Sequence, residues 1–240
     1  MKTTSTTLLA LGALGLSFTS APTSRAAVIT PPGLSAGDPY RLMFVSSVPN
    51  TANFGPNGIT DADAFVQNLA NIAGVGASMG VTWKALLSDN LGVTAAGRFN
   101  PSSPIYNMQG QLVAANGTAL WTVSAASPLV NPIAYDEFGN GSATILVEVW
   151  TGTDPLGSLD RADSDWMGAT TNTSATAGSS IAVNTDWING GGLPVELVPL
   201  SVFAFSSELI AVPEPSTGML AMAGMLMLAT RRRRSQAHQG

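Results

Sequence analysis

Two apolar segments, each flanked by basic residues, bracket the part of this chain that can fold around a core of its own. At the N-terminus Lys2 precedes the uncharged run Leu8–Phe18, and Ser24-Arg25-Ala26 puts small residues three positions and one position before a cleavage point. A charged start, an apolar centre and a small-residue exit predict a secretory signal peptide over residues 1–26. At the other end Val212-Pro213-Glu214-Pro215-Ser216-Thr217 leads into Gly218–Thr230, which carries no charge, and then into Arg231–Arg234. The prolines interrupt any structure that precedes them, and Ser216 offers an N-cap for an apolar helix. As a helix, Ser216–Thr230 would rise roughly 22 Å at 1.5 Å per residue, against roughly 30 Å of hydrocarbon. Arginines that snorkel to the interface close part of that gap. The four arginines resist translocation and stay cytoplasmic, so residues 27–212 emerge on the far side of the membrane.

The region 27–212 has neither cysteine nor histidine, the one histidine being His238 in the tail. Thiol catalysis, thiolate metal sites and disulfides are therefore excluded. Four cations, Arg41, Lys84, Arg98 and Arg161, face fourteen carboxylates, for a net charge of −10. So acidic a surface repels polyanions, which makes nucleic acid, heparin and anionic lipid poor partners.

Local patterns within 27–212 predict an α+β domain. Thr60-x-x-Asp63 resembles a capping box with Asp in place of Glu. Ala62, Phe65, Val66, Leu69, Ile72 and Ala73 follow at helical spacing, and Gly74 and Gly76 end the pattern. Tyr40–Val45, Val81–Leu87, Ser142–Thr151 and Val202–Phe205 read as strands. In the third, Ile145, Val147 and Val149 share one face and Leu146, Glu148 and Trp150 the other. The stretches 88–141 and 152–192, rich in Gly, Ser, Thr, Asn and Pro, read as long loops, with a mobile one over Thr170–Ser180. No internal repeat, heptad or block of like charge is present in this region.

The order Pro-Glu-Pro, short apolar helix, arginine cluster over residues 212–234 resembles a PEP-CTERM sorting signal. That resemblance implies export through the inner membrane of a Gram-negative bacterium and recognition by an exosortase-type membrane enzyme. It also implies cleavage near Pro213-Glu214-Pro215, followed by release or attachment at the cell surface, often among exopolysaccharide. The sorting residues on this reading are Pro213, Glu214, Pro215, Arg231, Arg232, Arg233 and Arg234. The alternative is a plain C-terminal anchor.

A second resemblance spans about residues 40–206. Tyr40–Val45, Asn53-Phe54-Gly55, Asp61-Ala62-Asp63-Ala64-Phe65 and Thr82-Trp83-Lys84-Ala85-Leu86-Leu87-Ser88 occur in the order of a C-type-lectin-like domain of the endostatin-like kind. Arg98-Phe99, Pro104-Ile105-Tyr106, Asn131-Pro132-Ile133, Val149-Trp150-Thr151-Gly152-Thr153, Asp165-Trp166 and Trp187 continue it. The resemblance implies small twisted sheets, one or two helices and long loops, with Trp83, Trp150, Trp166 and Trp187 knitting the loops to the sheet. Such domains carry cysteines where this chain has Val66, Ser164 and Ala204; on this reading Val66 and Ala204 replace a sulfur pair by packing.

Three motifs carry a possible chemistry. Gly76-Ala77-Ser78-Met79-Gly80 matches a nucleophile elbow, but it has no histidine to act as base and follows a helix, so it reads as a helix-to-strand loop. Asp136-Glu137 is a carboxylate pair of the type glycosidases use, although its setting before Phe138-Gly139 is that of a turn. Asp154, Asp160, Asp163 and Asp165 fall in one short Gly- and Ser-containing segment, and hard oxygens in a flexible loop suit Ca²⁺. The alternative for these four is a solvated loop. Asn116, Asn140 and Asn172 head glycosylation triplets that read as turns. The sequence thus leads to the expectation of an exported, non-catalytic domain that recognises an extracellular polysaccharide or protein. A carboxylate-based hydrolase of matrix polysaccharide and a purely structural matrix protein are the alternatives.

Overall fold

The computed structural model describes residues 29–89, 91–121, 128–141, 147–160, 174–193 and 198–212. The signal peptide, the sorting residues Pro213–Pro215 and Arg231–Arg234, and Ser164, Asp163, Asp165, Trp166 and Asn172 lie outside the described residues.

Two apolar runs make the centre of the fold. The strands β1 (Pro39–Val45) and β8 (Ser201–Ser206) come from opposite ends of the domain and pair antiparallel, with Met43 opposite Phe205 and Val45 opposite Phe203. Every residue of β8 is buried, as is every residue of β1 from Leu42 onward. A strand covered on both faces needs an apolar run rather than alternation, and Leu42-Met43-Phe44-Val45 and Val202-Phe203-Ala204-Phe205 supply one.

Around them lie β2 (Trp83–Ala85), β3 (Ile105–Asn107), β4 (Leu112–Ala114), β5 (Glu148–Trp150), β6 (Ala175–Ser179), β7 (Gly191–Leu193) and β9 (Leu209–Ile210). All nine join one sheet in the order β4-β3-β1-β8-β5-β6-β7, with β2 also on β8 and β9 also on β1. The pairs β1–β3 and β5–β8 are parallel, and the other pairs are antiparallel.

Alternation along the strands sorts the side chains into two cores. Leu42, Phe44, Trp83, Ala85, Trp150, Val202 and Ala204 pack on one face with Ala62, Val66 and Ala70 of the helix α1 (Ile59–Ile72). Met43, Val45, Ile105, Val149, Phe203 and Phe205 pack on the other with Phe99, Leu120, Trp187 and Ile188. Two single-turn helices, α2 (Ala95–Arg98) and α3 (Gly117–Leu120), contribute Ala95 and Leu120 to that second core. Val149 and Trp150 therefore do face opposite ways, and Val66 and Ala204 are fully buried in one shared core.

The α+β class holds, and several finer expectations change. Among the described residues one nine-stranded sheet stands in place of the small twisted sheets expected. The stretches 88–141 and 152–192 are not simply loop: they contribute β3, β4, β6 and β7, along with α2 and α3. These strands are three to five residues long, and their pairing depends on neighbours remote in sequence. Within Thr170–Ser180, Ala175–Ser179 is the buried strand β6. Of Ser142–Thr151, only Glu148–Trp150 is strand among the described residues, residues 142–146 lying outside them. A further strand, β9, follows Val202–Phe205.

At α1 the expected capping box is absent. Gly58, at φ 62°, is the N-cap, and no side chain caps it. Thr60 is already inside the first turn, where its backbone is helical and its hydroxyl is out of place for a cap. Asp63 instead turns toward β2, accepting the Ala85 N–H at 2.9 Å. Ile72 is 65% exposed because the buried stripe runs through Ala62, Val66, Leu69 and Ala70, leaving Ile72 on the flank. Phe65 lies half-buried against Phe54, their rings 5.9 Å apart. The helix ends as expected, with Ala73 at the C-cap and Gly74 at φ +80°.

Candidate ligand-binding cleft

The three described cations of residues 27–212 come together at one end of the second core. Arg41 shares a face with Met43 and Val45 because strand side chains alternate. Lys84, on β2, pairs across from Phe205 of β8. Arg98 closes α2, a single turn held by two side chains: Thr94 Oγ1 accepts the Gly97 N–H at 3.1 Å and Ser88 Oγ accepts the Ala95 N–H at 2.9 Å. Arg41, Lys84 and Arg98 line a cleft of about 190 Å³ with Thr82, Phe99, Phe205, Ser206 and Ser207. A second hollow of about 240 Å³ shares Arg41, Arg98 and Phe99 and extends over Asn100 and Pro101.

The three cations are held differently. Arg98 is a strut: its Nη1 donates to the Ala85 carbonyl at 3.0 Å, and its Nη2 reaches both Asp63 oxygens at 2.6 Å. It also lies over the Phe99 ring, 5.0 Å from the centroid. Arg41 donates from Nη1 to the Ser206 carbonyl at 2.9 Å and lies 5.8 Å from the Phe205 centroid, while its buried Nε has no partner. Burial lowers the Arg41 pKa from its ordinary value, and the nearby Glu208 carboxylate pushes it back up. The group remains a cation. Lys84 is exposed, and Arg98–Asp63 is the one salt bridge among the described residues. The side chains lining the cleft include no carboxylate, imidazole or thiol. They donate hydrogen bonds and positive charge, which suits holding an anion.

Of the four aspartates read as calcium ligands, Asp154 and Asp160 lie among the described residues. Asp154 Oδ1 accepts the Leu156 and Ser158 N–H groups at 2.9 and 2.8 Å, which stabilises its own turn. Asp160 accepts the Thr176 hydroxyl on one oxygen and the Asn189 amide on the other, both at 2.7 Å. It thereby ties its loop to β6 and to the segment before β7. Among the described residues no group of three or more acidic or histidine side chains is arranged to hold a metal ion. Asp163 and Asp165 lie outside those residues. Asp160→Ala is expected to lose about 1.5–3 kcal/mol of stability, as for hydrogen bonds to a charged group, with EDTA present. Urea unfolding measures it, and an unchanged midpoint would show the carboxylate to be structurally idle.

Asp136 and Glu137 are both buried, and their carboxylates serve separate partners. Asp136 accepts the Phe138 and Asn140 N–H groups at 2.9 and 2.8 Å and the Asn140 side-chain amide at 3.0 Å, which is the turn read from the sequence. Glu137 is 1% exposed and takes both the N–H and the hydroxyl of Ser47, clamping the loop after β1. Ser78 lies exposed in a 3₁₀ turn (Ala77–Met79), and its hydroxyl donates to the Gly74 carbonyl at 3.4 Å. Asn116 caps α3 by accepting the Ala119 N–H at 2.8 Å, and Asn140 sits in the Asp136 turn.

A hollow of about 400 Å³ along β5, β6 and β7 is lined by glycines 178 and 190–192 with Glu148 and Asp186. Its two acids match the sign of the whole domain. The cleft at Arg41 is the place where local charge opposes it, and it escaped the sequence reading because its cations come from separate strands and a helix. The available signal was their scarcity: three of the four cations in residues 27–212 meet there. No protein-family model matches the chain, and no curated protein matches it either.

Proposed function

We propose that the chain is an exported surface protein whose folded region recognises a ligand at the Arg41–Lys84–Arg98 cleft and performs no chemistry on it. The observation that carries this reading is the convergence of scarce cations on a cleft whose side chains offer hydrogen-bond donors and positive charge. The address rests on the signal-like start and on the PEP-CTERM-like end. The ends of the fold suit a single tether. Gly37 N–H donates to the Ala211 carbonyl and Ala211 N–H to the Asp38 carbonyl, each at 2.9 Å, so the last described residues lie beside the segment that leads into β1. The C-type-lectin-like resemblance agrees with a recognition role but does not choose a ligand, since function resides in sites rather than folds.

The test is a full-chain glycan array joined to a reporter fused after Gly240. Saturable binding to a defined subset of glycans, with the reporter active only in the cytoplasm before processing, is the expected result. A folded protein that binds nothing on the array overturns the recognition role, and a reporter active only outside the cytoplasm overturns the address.

A further inference from the structure

We infer that the cleft between β1, β2, β8 and α2 binds a single carboxylate carried on a small polyhydroxylated body, of the sugar-acid class, with Lys84 as the charge that selects it. The inference rests on the recognition reading and specifies its ligand.

Charge sets the valence. Arg98 is neutralised by Asp63, and Arg41 lies in the field of Glu208, so the cleft is only modestly positive. The surrounding domain, at −10 over residues 27–212, repels polyanions and anionic surfaces at long range. A monoanion loses least to that repulsion and matches the one cation, Lys84, that is exposed and outside any ion pair among the described residues. A phosphate or sulfate dianion loses more to the global field and gains little from a site with one uncommitted surface cation.

Size and wall chemistry set the rest. About 190 Å³ is the liquid volume of roughly six waters, room for a small organic acid. Thr82 is exposed, and its hydroxyl makes no hydrogen bond among the described residues. Ser207 Oγ accepts the Thr82 N–H at 3.1 Å and keeps its own proton to donate. Thr82 and Ser207 line the same cleft as Lys84, so a ligand with hydroxyl oxygens near its carboxylate meets further donors there. Beneath them Phe99 and Phe205 pack with centroids 5.0 Å apart and close the floor to water, which strengthens the charged contacts above.

Calorimetry on the full chain with sodium glucuronate, glucose, inorganic sulfate and inorganic phosphate tests this. Glucuronate should bind saturably, glucose at least tenfold more weakly, and the two inorganic anions more weakly than glucuronate. Lys84→Met, which keeps the aliphatic stem on an exposed position, should weaken glucuronate at least tenfold without moving the unfolding midpoint. Thr82→Val should weaken it less. Equal binding of glucose, or sulfate or phosphate as tight as glucuronate, overturns the ligand class. Array binding that survives Lys84→Met overturns the cleft as the site while leaving recognition standing, whereas an array with no binding at all removes the recognition reading itself.

Discussion

Trp150→Ala is expected to cost about 3–5 kcal/mol of folding stability, the range for deleting a large aromatic from a packed core. Trp150 is fully buried on β5, between the antiparallel neighbour β6 and the parallel neighbour β8. Its ring fills the core shared with α1, and its Nε1–H donates to the Asn50 carbonyl at 3.0 Å, tying the loop after β1 to the sheet. Truncation removes both the packing and the partner of a part-buried carbonyl. With no disulfide in the chain to hold the loops, that loss is a large share of a typical stability of about 5–15 kcal/mol. Urea unfolding followed by the remaining tryptophans measures it. A loss below about 1 kcal/mol would mean that the ring is not a core element, and would return it to consideration as a binding surface.

Gly178→Ala is expected to destabilise by about 1–3 kcal/mol, the usual cost of forcing an extra methyl group into a filled space. A Cβ at position 178 would collide with the Trp187 carbonyl and would sit 2.9 Å from Ile188 Cα. These are backbone atoms, so no rotamer relieves the clash. The turn that carries them is pinned on both sides: Thr151 Oγ1 donates to the Ile188 carbonyl at 2.6 Å, and Gly190 N–H donates to the Ala177 carbonyl at 2.7 Å. Trp187 in turn packs on Phe203, so displacement of the turn would reach the centre of the second core. A thermal melt of the variant checks the effect, and a midpoint equal to wild type would show that the 3₁₀ turn Thr185–Trp187 does not rest on β6 as described.

The Ala-Thr-Ala-Gly-Ser sequence of β6 shows where local reading stops. It has no large or branched apolar residue and looks like loop, yet all but its last residue are buried. At Gly178 no side chain fits because the Trp187 turn lies against the strand there. That requirement belongs to the partner and leaves no periodicity in the strand itself. The same holds for β3, β4 and β7, which are too short to show a pattern and exist as strands because β1, β3 and β6 present edges to them.

What local chemistry alone determined is the centre of the fold. The apolar runs of β1 and β8 are legible because burial on both faces demands them, and α1 is legible because one buried stripe demands helical spacing and Gly74 can take a positive φ. The Asp136 turn is legible because an Asx turn closes within a few residues. The start of α1, the burial of Glu137 against Ser47, and the pairing of Asp63 with Arg98 depend on chain segments that meet only after folding. The cleft belongs with these. Arg41, Lys84 and Arg98 are isolated cations in the sequence, and the sheet register, with Arg98 locked across to α1 and β2, is what gathers them into one site.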